Sequence, residues 1–194
     1  MKYANRSVTL TLALASLLLL SGCFSQRLAV YQSFSPKLVL EDYFSGCVVG
    51  WGLVKNWRGE VASRFKVHID GVRTPDGIVL DEDFVYADGS RSERVWTIEN
   101  LGNNTYRGTA PDVVGEATGT VVGNALSWVY QLRLPRGDGE VVVTLDDWLY
   151  LQPDGVLVNT TEITKFGISV GSLFINFQRQ ANDAACGSLP VWLP

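Results

Sequence analysis

The chain has 194 residues, a net charge of −4 at pH 7, three cysteines and a single histidine. A mildly acidic chain without a basic run excludes a nucleic-acid surface. One histidine and no His/Cys cluster at zinc spacing exclude the common zinc sites. No glycine-rich phosphate loop opens a helix and no EF-hand pattern occurs, so neither a cofactor nor a metal is expected.

The first element is the N-terminal segment. Lys2 and Arg6 precede an apolar run from Val8 to Leu20, and Leu20-Ser21-Gly22-Cys23 follows. A basic start, a short apolar core and small residues at a cleavage site read as a secretory signal over residues 1–22. The run is too short for the roughly 20 residues of a spanning helix. Leu-Ser-Gly-Cys resembles the lipobox of bacterial lipoproteins, which implies a diacylglyceryl group on the Cys23 thiol and a further acyl chain, such as palmitate, on its amine. The alternative is an ordinary signal peptide with a chance cysteine. Each buried CH₂ contributes about 0.8 kcal/mol, so two or more chains anchor stably. Phe24, rather than an aspartate, follows the cysteine. By analogy with enteric lipoproteins this points to the outer membrane, facing the periplasm. Cleavage removes Lys2 and Arg6 and leaves 14 basic against 20 acidic residues, a net charge of −6.

Residues 23–37 read as a lipidated N-terminus and tether, ending near Pro36. Residues 38–180 read as one β-domain and residues 181–194 as a C-terminal tail. Strand-like runs fall at about 38–45, 47–56, 60–70, 77–87, 91–99, 104–111, 117–122, 126–134, 140–151, 155–163 and 166–179, separated by Gly, Asp, Asn and Pro turns. Short turns between strands predict an antiparallel meander, and closure removes its exposed edges. The expectation is an all-β fold, a single small barrel of 8–10 strands. Gly108, Gly115, Gly119 and Gly123 interrupt this region and suggest bulges or bends. Cys47 and Cys186 form either a disulfide, which an oxidising periplasm permits, or two buried thiols.

Within the runs, period-two alternation assigns faces. Leu126, Trp128, Tyr130, Leu132 and Leu134 share one side. His68 shares a polar side with Arg64, Lys66 and Asp70, and reads as solvated. In "TLDDWLYLQPDG" (144–155), Leu145, Asp147 and Leu149 lie on one face, while Asp146, Trp148 and Tyr150 lie on the other. The adjacent carboxylates therefore point apart and form no shared-proton dyad. Asp147 sits among apolar residues and needs a donor, an arginine or backbone amides. Asp146 belongs either to a polar-tipped aromatic pocket or to an exposed face. In "LDEDFVYADGSRSERVWTI" (80–98), Asp88-Gly89 signals a hairpin. A two-residue turn sets Asp83 opposite Arg94, and a one-residue slip brings Glu82 to Arg94 instead. Arg94 then belongs to a surface ladder or, if it faces the lumen, to an anion or head-group site.

"GWGLV" (50–54), "LDEDFVYADG" (80–89), "RVWTI" (94–98), "APDVVGEATG" (110–119), "GNALSWVYQL" (123–132), "LDDWLYL" (145–151) and "TKFG" (164–167), behind a lipobox, resemble the bacterial lipoprotein family called domain of unknown function 3833. The resemblance covers about residues 37–180. It implies no catalytic residues, because that family has no established activity, and the tail with Cys186 extends beyond its pattern. The architecture is also similar to the calycin, or lipocalin-like, ligand-binding barrels. Gly50-Trp51-Gly52 is an imperfect form of their Gly-x-Trp, and Arg179 stands near the end of the last strand.

Three functions follow as expectations. The first is a membrane-anchored barrel binding a lipid, fatty acid or other small hydrophobic ligand. Its candidate walls are Trp51, Trp96, Trp128, Tyr130, Trp148 and Tyr150, and its polar tips are Arg94, Asp112 and Asp146. The second is an isomerase-like, lipid-modifying enzyme with Asp146, Asp112 or Glu82 as base. The third is a structural envelope lipoprotein with a packed barrel.

Overall fold

A computed structural model describes residues 26–181. The signal segment, Cys23 and Cys186 lie outside the described residues. Ten antiparallel strands follow in order: β1 (Gly46–Asn56), β2 (Val61–Thr74), β3 (Gly77–Tyr86), β4 (Arg91–Gly102), β5 (Thr105–Thr109), β6 (Ala117–Val122), β7 (Ala125–Arg136), β8 (Gly139–Leu151), β9 (Leu157–Lys165) and β10 (Ile168–Arg179). Each pairs with the next, and β10 pairs back on β1 from Val48↔Arg179 to Asn56↔Gly171, closing the barrel. Closure leaves no unpaired edge, as the meander predicts.

Alternation sets what faces inward. Along β8, Val143, Leu145, Asp147, Leu149 and Leu151 are buried, and the residues between them are half-buried or exposed. On β2, Phe65, Val67 and Ile69 point in, while Arg64 and Asp70 are exposed. Apolar side chains inside and charged ones outside reverse the pattern of a transmembrane barrel.

The run at 38–45 is not a strand. Leu40–Phe44 form a short helix, α1, with Leu40, Tyr43 and Phe44 buried. Those three stand at i, i+3 and i+4, one helical face. That face plugs one end of the barrel. Phe44 meets Phe177 edge-on at 5.8 Å, and the Tyr43 hydroxyl donates to the Phe177 carbonyl at 2.9 Å. On its other side, Glu41 accepts from Asn100 Nδ2 at 2.7 Å and from the Tyr106 hydroxyl at 3.1 Å. Gly71 lets α1 sit this close, because a Cβ there would lie 1.7 Å from the Phe44 carbonyl oxygen.

The chain before α1 lies against the outside of the wall from Gln26 onward. A 3-10 turn at Leu28–Tyr31 sets the Tyr31 ring 5.5 Å from Tyr150 and 6.3 Å from Trp148. Leu38 N–H donates to the Gly123 carbonyl at 2.9 Å, next to the β6–β7 turn.

Two glycine expectations change. Gly108 and Gly119 do not mark bulges but make room. A Cβ at Gly119 would lie 2.2 Å from Trp128 Cε3, and one at Gly108 would lie 2.5 Å from Trp128 Cζ2. The register shifts fall elsewhere, at Val54/Lys55, Asn100/Gly102 and Ser169/Gly171. His68 is 4% exposed rather than solvated. It stands on the outer face between Val49 of β1 and Asp83 of β3, and Val49 is buried with it. Cys47 is buried at the start of β1 and is disulfide-bonded, its partner lying outside the described residues.

Candidate functional site: the barrel lumen

The lumen is not filled from end to end. Val48, Ile69, Ile78 and Leu157 are fully buried. Leu40 and Phe44 of α1 form the floor of a cavity of about 260 Å³ that extends away from the plug. At the opposite end it is lined by Val54, Tyr86, Leu134, Ile163 and Leu173, all half-buried, so the cavity meets solvent there. An apolar cavity of ~150 Å³ is already enough to hold a benzene-sized guest.

The walls are mostly aliphatic and aromatic. Trp96 stands edge-on to Trp128 at 5.8 Å and to Tyr130 at 5.3 Å. Small residues on neighbouring strands make this cluster possible, since Gly119 on β6 pairs directly with Trp128 and Gly108 sits one strand further on β5. Phe65, Phe84 and Tyr86 form a second aromatic group nearer the open end, with Phe65 and Phe84 5.5 Å apart.

One polar group interrupts the apolar wall. β3 contributes Glu82, β4 Arg94, β7 Tyr130, β8 Asp147 and β9 Asn159. The hairpin explains Glu82. The β3–β4 loop is one residue longer than Asp88-Gly89 alone requires. Tyr86 N–H bonds to the Ser90 carbonyl, Gly89 takes φ +85°, and Val85 faces Arg91. A three-residue loop closed by a left-handed glycine shifts the pairing by one. Glu82 therefore pairs with Arg94, and Asp83 with Glu93. Glu82 and Arg94 face the lumen, whereas Asp83 is exposed outside.

Arg94 is already engaged. Its Nη2 lies 2.7 Å and its Nε 3.0 Å from Asp112 Oδ2, while its Nη1 lies 3.9 Å from Glu82 Oε2. The guanidinium stands 5.7 Å from the Phe84 ring centroid. Burial works against its charge, but the carboxylates of Glu82 and Asp112 outweigh burial and hold its pKa above the usual value. Glu82 has no comparable support. Burial pushes its pKa up to about 7, and Arg94 offsets only part of this. Asp147 accepts from the Thr161 hydroxyl and from Tyr130, yet burial still raises it to about 6. Tyr130 is raised well above its ordinary value, by burial first and by Asp147 second.

The candidate residues separate by face. Trp96, Trp128, Tyr130 and Arg94 line the lumen as expected. Trp51 does not. It is 43% exposed on the outer face, with the Lys66 amine 5.9 Å from its ring centroid. Gly50 and Gly52 hold the inward positions, where any side chain would collide with Phe177 or Phe65. Asp146, Trp148 and Tyr150 are also on the outer face, since β8 directs Leu145, Asp147 and Leu149 inward. They form a half-buried patch under Tyr31, and burial raises the pKa of Asp146 there. Asp112 stands on the β5–β6 connection, outside the lining, and reaches the site only through Arg94. The donors to Asp147 are the side chains of Thr161, Tyr130 and Asn159, not the arginine or backbone amides expected. Asn159 and Thr161 were legible from alternation with Leu157 and Ile163 but carry no motif.

Chemically, this is an apolar cleft with a buried, acid-rich polar tip. Among the described residues there is no cluster of metal-ligating side chains. Fold and site together define a closed antiparallel β-barrel with an open-ended apolar lumen. Residues 17–179 match the family described as protein of unknown function (DUF3833), and the chain belongs to that family. No curated protein matches the chain. Among solved structures it is similar to the S-type phycobiliprotein lyase CPES from Guillardia theta. The TM-score is 0.53 at 10% identity, over 81% of this chain and 99% of the lyase. That likeness is one of fold.

Proposed function

We propose that the protein binds a lipid or other small hydrophobic molecule in its barrel and is held at the bacterial cell envelope through an acylated Cys23. The observation that carries the binding reading is the cavity of about 260 Å³, apolar-walled and open at one end. Ligand sites of ~300–1,000 Å³ are typically apolar with a few convergent polar groups. Glu82, Arg94, Tyr130 and Asp147 supply such a group. A guest that covers this apolar wall gains roughly 25 cal/mol per Å² of apolar surface it removes from water. The anchoring half rests on the sequence, on Leu20-Ser21-Gly22-Cys23 behind a basic and apolar signal. Phe24 favours the outer membrane, with the barrel facing the periplasm.

Titration with the uncharged probe N-phenyl-1-naphthylamine tests the binding half. Blue-shifted emission saturating at one probe per chain is expected. A weak rise that never saturates contradicts it.

A second reading is favoured by one observation. Two lumen carboxyls are pushed toward neutrality, Glu82 to about 7 and Asp147 to about 6. A general base works best with a pKa near the working pH. An isomerase-like catalyst acting on an apolar substrate would use Glu82 as base. Asp146 is on the wrong face for that role, and Asp112 is tied to Arg94. Full turnover by Glu82→Gln would end this reading.

A further inference from the structure

The polar tip of the lumen also bears on the ligand's chemistry. We propose that the guest is an amphiphile whose polar end is a protonated amine, not a carboxylate. The inference rests on the ligand-binding reading above and refines it.

The geometry argues by elimination of free cations. Arg94 is the cation among the residues lining the cavity, and Asp112 already balances its charge. Two of its nitrogens converge on one oxygen of Asp112, and the third faces Glu82. A fatty carboxylate entering the lumen would have to displace Asp112, which reaches in from the β5–β6 connection, or take only Nη1, which points at the Glu82 carboxylate. It would also meet Glu82 and Asp147, which line the same cavity. Like charges brought together in a low-dielectric cleft repel far more strongly than in water.

An ammonium meets the opposite field. Glu82 on β3 and Asp147 on β8 look into the same cavity from two sides, with Tyr130 of β7 beside Asp147. Glu82's nearest cation is 3.9 Å away, beyond a good hydrogen bond, so its carboxylate keeps room for a donor. An ammonium brings three donors on one compact charge, which suits two converging carboxylates. The alkyl part would lie along the apolar wall toward Val54, Leu134 and Leu173 at the open end. For a fatty acid, Arg94 is the cation in the lining that could take the head group, and Asp112 already holds two of its nitrogens.

The test compares three probes of one chain length, decylamine, decanol and decanoic acid, on the purified full-length protein at pH 7.5. The readout is tryptophan emission, to which Trp96 and Trp128 in the wall report. The expected order is amine, then alcohol, then acid, with at least about a tenfold gap in Kd between amine and acid. Glu82→Gln and Asp147→Asn are near-isosteric, and each should weaken decylamine by about tenfold and decanol by clearly less. Decanoic acid binding as tightly as decylamine would overturn the proposal. So would an amine preference that both variants retain in full. Failure of all three probes to bind would overturn the ligand-binding reading itself, and this proposal with it.

Discussion

Replacing Glu82 by glutamine should make the protein more stable at mildly alkaline pH. Glu82 ionises near pH 4.5 in an unfolded chain but near 7 in the barrel, because burial disfavours its charge. An acid with a raised folded pKa favours the native state below its unfolded value and loses that contribution as pH rises through the folded one. Between pH 5 and 8 the loss is about 2–3 kcal/mol, because each tenfold difference in proton affinity between the two states is worth about 1.4 kcal/mol. The Glu82 side chain is only 12% exposed, so solvent screening reduces this little. Glutamine cannot ionise and keeps the shape, so the variant escapes the loss. Urea unfolding at pH 5, 6, 7 and 8 measures it. The wild type should lose stability across that range, and Glu82→Gln should lose about 2–3 kcal/mol less. Asp147, raised to about 6, adds its own slope over lower pH in both proteins, and loss of the Glu82 charge beside it makes that slope shallower in the variant, in the same direction as the expected difference. Parallel curves for the two proteins would refute the placement of Glu82 as a buried, weakly paired acid.

Further outcomes follow from the same geometry. Gly119→Val should destabilise by about 1–3 kcal/mol in urea, the usual range for overpacking, because its Cβ would lie 2.2 Å from the Trp128 ring; an unchanged midpoint would show that the indole is not seated there. Trp128→Phe should shrink the emission change on ligand addition while Trp51→Phe leaves it intact, since only the former lines the lumen; equal effects would place the ligand elsewhere. Intact mass of protein extracted from its own envelope should show a chain starting at Cys23 with acyl additions, and an unmodified mature mass would remove the anchor. Non-reducing peptide mapping should recover Cys47 linked to Cys186, the pairing proposed for the disulfide at Cys47.

The strands were legible because alternation is a local property. Leu126 to Leu134 on β7 and Val141 to Leu151 on β8 carry their inward face in the order of their residues. Which side of an alternation faces inward is not always so plain. On β8 the outward set includes Trp148 and Tyr150, and aromatic residues beside an acid look like a pocket. They are shielded instead by Tyr31, more than a hundred residues away in the chain, and no local pattern reports that. The hairpin register is ambiguous by one residue for a different reason. Asp88-Gly89 serves either a two-residue or a three-residue loop, and the choice decides whether Asp83 or Glu82 meets Arg94. The helix α1 was hidden by its brevity, because a short apolar run does not separate strand from helix by period. Its i, i+3, i+4 spacing at Leu40, Tyr43 and Phe44 was the available signal. Glycines within strands signal curvature, yet Gly108 and Gly119 matter as vacant volume beneath a tryptophan contributed by another strand.

Native mass spectrometry of the chain isolated from its own envelope, alongside a Leu145→Trp variant that fills the middle of the cavity, most directly tests whether the lumen houses a guest. One discrete small-molecule adduct per chain on the wild type, absent from the filled variant, is the result predicted. A bare mass for the wild type that stays bare after incubation with apolar amines, alcohols and acids would contradict it.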